Sequence, residues 1–386
     1  MILNSKKNIL FGIDNFLRSS SYKDKRIAFV CNEASVAIPG IQSRVALIKN
    51  GFTIVKLFSP EHGITASGED GYYQADGIDN LTGLPIVSLY GDRLSPRRED
   101  LGDVDMVLFD LPDVGCRFYT YLWTMTYIME TCAVFDIPFF ITDRPNPTGG
   151  KLFQAEGPML DEANCSSFIG RWSIPLRHCC TLGELAQYFK ATRVPSLQLV
   201  IIPVSNWQRE ITDADNFTPT SPSISKLGAS LLYPGTGLLE GINVNEGRGT
   251  EYPFEVCAAP WINQEELCNY FKLTNHPGLH IETMSYVSKN GLYINEICHG
   301  IKFSVTDENT FRPVEMGISL IITLMKLYPD KITERLYKTV ANPAGKRHLD
   351  KLLGVPDTFQ RLKNGEEIIT NIANDWTNTI SNYLMY

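Results

Sequence analysis

The sequence predicts an α/β fold built on a mainly parallel sheet, and three observations carry that expectation. Short apolar runs recur through the first half as candidate strands. Segments of helical character separate them. The runs are continuous rather than alternating, as expected of strands covered by helices on both faces. Arg26 to Cys31 reads as a buried strand after a charged turn. Ser43 to Asn50 reads as a helix stopped by Gly51. Further strands are expected at 52–58, 85–89, 105–110 and 138–142, with a helix over 122–135. Thr181 to Lys190 reads as a helix whose cap, Thr181, forms a capping box with Glu184. A strand follows at 197–204. The stretch 213–225, rich in Pro, Ser, Thr and Asp, marks a linker, so two domains are expected, 1–225 and 226–386. The second half should hold a helix from Gln264, a strand at 300–305 and a long apolar helix over 313–327.

Hydrophobic residues make up 44% of the 386 positions, which supplies a core and excludes disorder and collagen-like fibres. No apolar run is long enough for a membrane span. A formal net charge of −8 argues against a general nucleic-acid-binding surface. The nine cysteines form no C-x-x-C pair, so reduced thiols are expected rather than zinc ribbons or thioredoxin chemistry. The apolar run near the N-terminus, Ile9 to Ile13, is too short for a secretory signal. A cytoplasmic location is therefore expected for the chain as written, and a periplasmic or secreted one if a signal peptide has been removed.

In open α/β sheets, ligands sit beyond the carboxyl ends of the strands. Polar clusters follow three strands directly: Ser59 to Gly63, Asp110 to Gly115 and Thr142 to Pro147. Glu61, beside His62, is a general-acid candidate, because partial burial at a strand end raises a carboxyl pKa. Asp110 and Asp113 form a carboxylate pair followed by Arg117, Tyr119 and Tyr121. Such a set suits glycoside hydrolysis or metal binding, with the arginine on an anion and the tyrosines against a sugar. The alternative is a capped loop in which Asp110 pairs with Arg117. Asp143 and Arg144 lie in a proline-restricted turn, where a structural role competes with a functional one. Asn245, Glu246 and Arg248 sit among glycines that let backbone approach a ligand. The segment 235–241 has the wrong spacing for a dinucleotide fingerprint and reads as a turn. No phosphate loop, H-E-x-x-H or G-x-S-x-G motif is present.

Seven motifs in order resemble one family. They are FSPEHG (58–63), DVGCRFYTY (113–121), DRPNPTGG (143–150), EGPMLD (156–161), NVNEGRGT (243–250), APWI (259–262) and FRPVEMG (311–317). The family is that of exo-acting β-N-acetylmuramidases typified by NamZ, and the resemblance covers nearly the whole chain. It implies a Rossmann-like α/β domain, a smaller C-terminal α/β domain and an active-site cleft between them. It implies a glycoside hydrolase that releases N-acetylmuramic acid from the non-reducing end of peptidoglycan-derived saccharides. No cofactor and no metal are expected, since a Rossmann-like fold does not by itself imply a nucleotide. Carried onto this sequence, the resemblance makes Glu61 the best catalytic acid, with Asp113 or Glu246 as a second carboxylate. His62, Asp110, Arg117, Tyr119, Tyr121, Asp143, Arg144, Asn245 and Arg248 would bind substrate. An arginine in the cleft would recognise the lactyl carboxylate of muramic acid.

The chain departs from the family at Leu111-Pro112, where an Ile-Gln pair is usual, and at His178-Cys-Cys180, where His-Gly-Met is common. The first departure removes a polar side chain near the expected cleft and bears on substrate preference. Three other readings use the same residues: a non-catalytic muropeptide-binding protein, a hexosaminidase of other specificity, and a nucleotide-dependent enzyme. The intact carboxylates at 61, 113 and 246 argue against the first. The missing phosphate loop argues against the last.

Overall fold

The structure is a computed structural model, and it describes residues 8–212 and 216–386. The start of the expected linker, residues 213–215, lies outside the described residues. Among the described residues, ten strands build two main sheets, and Val36–Ala37 pairs with Ile41–Gln42 in a small antiparallel third. The larger holds β1 (Arg26–Val30), β2 (Thr53–Ser59), β3 (Gly77–Ile78), β4 (Pro85–Ser88), β5 (Met106–Phe109), β6 (Phe139–Thr142) and β7 (Leu199–Ile202). Their spatial order is β3-β4-β2-β1-β5-β6-β7. Every pairing is parallel except that of the two-residue edge strand β3 with β4. The chain runs outward from β1 to β4, then returns to place β5 on the other side of β1. That reversal is a topological switch point, and the carboxyl ends of β1, β2 and β5 surround it.

Side-chain alternation divides the core. Ile27 and Phe29 of β1, with Met106 and Leu108 of β5, face a cluster built with helices α1 (Gly12–Leu17) and α2 (Ser43–Lys49). Ala28, Val30, Val107 and Phe109 face the other way. There they join a larger cluster with α3 (Thr120–Phe135) and α4 (Leu182–Thr192). The Thr181–Glu184 capping box starts α4 as expected.

The second region packs α5 (Leu227–Thr236), α6 (Gln264–Lys272) and α7 (Pro313–Leu327) beside a three-stranded antiparallel sheet. Its strands are β8 (Val256–Ala259), β9 (Leu279–Val287) and β10 (Ile297–Val305), in the order β8-β10-β9. Helices α8 (His348–Leu353) and α9 (Ala373–Ile380) complete it. Helices α5 and α7 cross closely at two glycines. A Cβ on Gly317 would stand 2.4 Å from the Gly235 carbonyl oxygen. The larger core cluster is continuous from Ala28 to Ile380, so both regions share one apolar interior. All nine cysteines are free and buried. No helix among the described residues is long and apolar enough to cross a membrane.

Candidate active site

A cavity, partly open to solvent, lies where the two regions meet. Glu61, His62, Asp70, Tyr90, Tyr119 and Thr120 wall it from the parallel-sheet side, and Tyr233, Glu240, Arg248, Tyr337, His348 and Lys351 from the other.

Glu61 follows β2 by two residues, in a loop that turns sharply through left-handed backbone at His62 (φ 68°) and Gly63 (φ 70°). The loop curls back so that the Gly71 N–H donates to Glu61 Oε1 at 2.8 Å. The hydroxyls of Tyr90 and of Thr120, the first residue of α3, also hydrogen-bond this carboxyl. Glu61 is 5% exposed. Burial pushes its carboxyl above the ordinary glutamate value; His62 and the hydrogen bonds offset this only in part, and Asp70 adds to it. A carboxyl raised in this way at the edge of a cavity is better equipped to donate a proton.

His62 Nδ1 lies 2.8 Å from the Gly68 carbonyl, so Nδ1 carries a hydrogen and donates. Its Nε2 then faces Asp70 Oδ1 at 3.9 Å. Asp70 also receives Arg248 Nη2 at 3.0 Å and the Tyr337 hydroxyl. Burial opposes its charge, but Arg248, His62 and Tyr337 together hold its carboxyl below the ordinary aspartate value. Arg248 is also bound by Glu240, lies 3.2 Å from Glu246 Oε1, donates to Ser223 Oγ at 2.8 Å and stacks over the Phe254 ring. His348 stacks flat on Tyr337, with ring centroids 4.5 Å apart, and its Nε2 is 3.7 Å from Glu240. Glu61 and Asp70 thus share one cavity in opposite states: burial favours the protonated form of the first, and Arg248 favours the charged form of the second.

Four residues expected at the site line this cavity: Glu61, His62, Tyr119 and Arg248. Asp113 and Arg144 line a separate, smaller cavity beside Phe11 and Phe217. There Asp113 accepts from the Gly115 N–H at 2.9 Å and faces His178 Nε2 at 3.2 Å. The alternative pairing of Asp110 with Arg117 does not form. Asp110 is fully buried in a bidentate pair with Arg144, at 3.0 and 2.9 Å. Arg117 does not reach the cavity either. Its buried guanidinium donates to the carbonyls of Pro158, Ile174, Leu352 and Leu353, at 2.7 to 3.1 Å.

The remaining expected residues do not line this cavity. The Tyr121 hydroxyl accepts from Asn32 and donates to the Thr220 carbonyl. Asp143 is pushed up to about 6 by burial, and it accepts from Thr181, Gly183 and Tyr386. The Asn245 amide bridges the 288–292 turn to the Gly247 N–H and the Tyr286 hydroxyl. Glu246, fully buried, stands behind Arg248. Asp70, Tyr90, Thr120, Glu240, Tyr337, His348 and Lys351 were not singled out from the sequence. Asp70, in Gly68-Glu-Asp-Gly71, carried a turn signature that could have marked it. Glu240 lies in the segment read as a turn. The residues from 337 to 351 follow no strand or motif.

A cavity with a buried glutamate whose carboxyl is raised and an arginine-paired aspartate has the elements of an acid-assisted hydrolase site. The chain belongs to the NamZ exo-β-N-acetylmuramidase family. The family's N-terminal signature, described as "Exo-beta-N-acetylmuramidase NamZ, N-terminal", matches residues 27–228, and the corresponding C-terminal signature matches 231–386. The chain is 35% identical over 384 residues to the peptidoglycan beta-N-acetylmuramidase NamZ of Bacillus subtilis (strain 168), covering 98% of this chain and 90% of that protein. Two crystal structures of DUF1343 family proteins from Bacteroides fragilis NCTC 9343 share the fold. Their TM-scores are 0.85 and 0.76, each at 25% identity over 98% of this chain and 99% of theirs.

Proposed function

We propose that the chain is an exo-β-N-acetylmuramidase that releases terminal N-acetylmuramic acid from the non-reducing end of peptidoglycan-derived saccharides, with Glu61 as its general acid. The observation that carries this reading is the Glu61 carboxyl, buried at the cavity wall and raised above the ordinary glutamate value. The two domains, residues 1–225 and 226–386, would flank the terminal sugar.

In the first step Glu61 passes its proton to the glycosidic oxygen as the bond to the anomeric carbon breaks, and it is left as glutamate. Water then attacks the anomeric carbon and gives up one proton, which restores the acid. The developing positive charge on the sugar needs an anion or the substrate's own 2-acetamido oxygen. Asp70 is the residue for that role, because it lines the same cavity and is held charged by Arg248. Asp113 lines the other cavity, and Glu246 lies behind Arg248. Neither replaces Asp70 in this scheme.

The test is hydrolysis of para-nitrophenyl β-N-acetylmuramic acid beside its N-acetylglucosamine analogue. Wild type should turn over the muramic substrate, and Glu61→Gln should lose roughly 10²- to 10⁴-fold in kcat, as expected for removal of a general acid. Preference for the glucosamine analogue, or undiminished activity in the variant, would contradict the proposal.

A further inference from the structure

N-acetylmuramic acid differs from N-acetylglucosamine by a lactyl ether that ends in a carboxylate, so a selective site needs a cation free to receive it. The Arg248 guanidinium, which alone of the arginines expected at the site lines this cavity, is already matched by Asp70 at 3.0 Å, Glu246 at 3.2 Å and Glu240. The two histidines of the cavity each face a carboxylate as well, His62 towards Asp70 and His348 towards Glu240.

Lys351 is different. It lines the same cavity, and among the described residues it has no carboxylate within 4.0 Å of its ammonium. One of its three N–H donors is spent on Asn342 Oδ1, at 2.7 Å, and Asn342 also lines the cavity. Helix α8 presents it: His348, Lys351 and Leu352, spaced i, i+3, i+4, form the face turned to the cavity. Burial and Arg347 disfavour the lone ammonium charge, whereas Asp350 favours it. An incoming carboxylate would supply the missing partner.

We infer that Lys351, held in place by Asn342, receives the lactyl carboxylate of the terminal muramic acid and so sets the preference over glucosamine. This rests on the muramidase reading for the choice of sugar. A charged hydrogen-bonded pair in a partly enclosed site should contribute about 10- to 100-fold in affinity.

The test is calorimetric titration of the wild-type protein, K351M and K351R with free N-acetylmuramic acid and, separately, with N-acetylglucosamine. Wild type should prefer the muramic acid by at least about 10-fold. K351M should bring the ratio of the two affinities close to one, and K351R should keep most of it because the charge remains. An unchanged ratio in K351M, or no preference in wild type, would overturn the assignment. The readout is binding, so loss of catalysis is seen separately: selective binding without turnover would contradict the hydrolase reading and leave Lys351 in its role.

Discussion

The guanidinium of Arg117 reaches the carbonyl oxygen of Leu353, 236 positions further along the chain, at 2.7 Å. It also holds the carbonyl of Leu352, so it satisfies the last turn of helix α8, where a cation is favoured. This joins the DVGCRFYTY segment to the helix that carries His348 and Lys351 into the cavity. Arg117 thus positions one wall of the site without touching its interior. The approach is so close that a Cβ on Gly354 would stand 2.4 Å from Arg117 Nη2.

Arg117→Met should therefore act on stability first. Four buried carbonyls would lose their donor, and a cost of at least about 3 kcal/mol is expected. Arg117→Lys should recover little, because an ammonium cannot reproduce the planar fork. Urea unfolding of the three proteins checks this. A change under about 1 kcal/mol for Arg117→Met would show that the carbonyls find other donors.

A second prediction concerns pH and Glu156, which burial pushes up to about 7 from the ordinary glutamate value of 4.5. The folded state holds this proton more tightly than the unfolded chain does. The contribution to stability is then fully present below about pH 4.5 and is lost as pH rises through about 7. Its full size is of order 3 kcal/mol. Glu156→Gln should flatten the decline in unfolding free energy between pH 5 and pH 8 relative to wild type. Parallel pH profiles for the two proteins would contradict it.

Tyr386 gives a third. Its hydroxyl donates to Asp143 Oδ2 at 2.8 Å and accepts the Val204 N–H at 2.9 Å. Tyr386→Phe should cost about 1–2 kcal/mol in urea unfolding, because both partners lose a buried hydrogen bond. The hydrolytic rate should change little, as Asp143 lies outside the cavity wall.

Strands β1, β2, β4, β5 and β6 lie within a residue or two of their expected spans, because glycine, proline or polar residues bound each apolar run closely. Helix α7 runs from Pro313 to Leu327 as expected, with proline at its permissive first turn. Helix α5 was not legible: Pro234 and Gly235 argue locally against a helix, and only the packing of Gly235 against α7 explains it. Strand β9 was missed although residues 279–287 alternate weakly in burial. At the site, Glu61 and His62 could be read because a polar pair directly follows an apolar strand. Asp110 and Arg117 could not be placed, because a sequence displays charges but not the partners that burial gives them. Lys351 could not be found from any local pattern. Its significance comes from a cavity assembled by segments far apart in the chain.

The pH profile of hydrolysis gives a fourth prediction. The acid must be protonated to work, so kcat/KM should fall as pH rises through the raised Glu61 value, with its alkaline limb above the ordinary glutamate range. An alkaline limb inside that ordinary range would contradict a raised Glu61 carboxyl in the free enzyme.

The most direct measurement is mass-spectrometric product analysis of a short glycan with N-acetylmuramic acid at its non-reducing end, incubated with wild type and with Glu61→Gln. Wild type should release free N-acetylmuramic acid and leave a glycan one sugar shorter, and the variant should release almost none. Cleavage inside the glycan, release of N-acetylglucosamine first, or equal release by the variant would contradict the account.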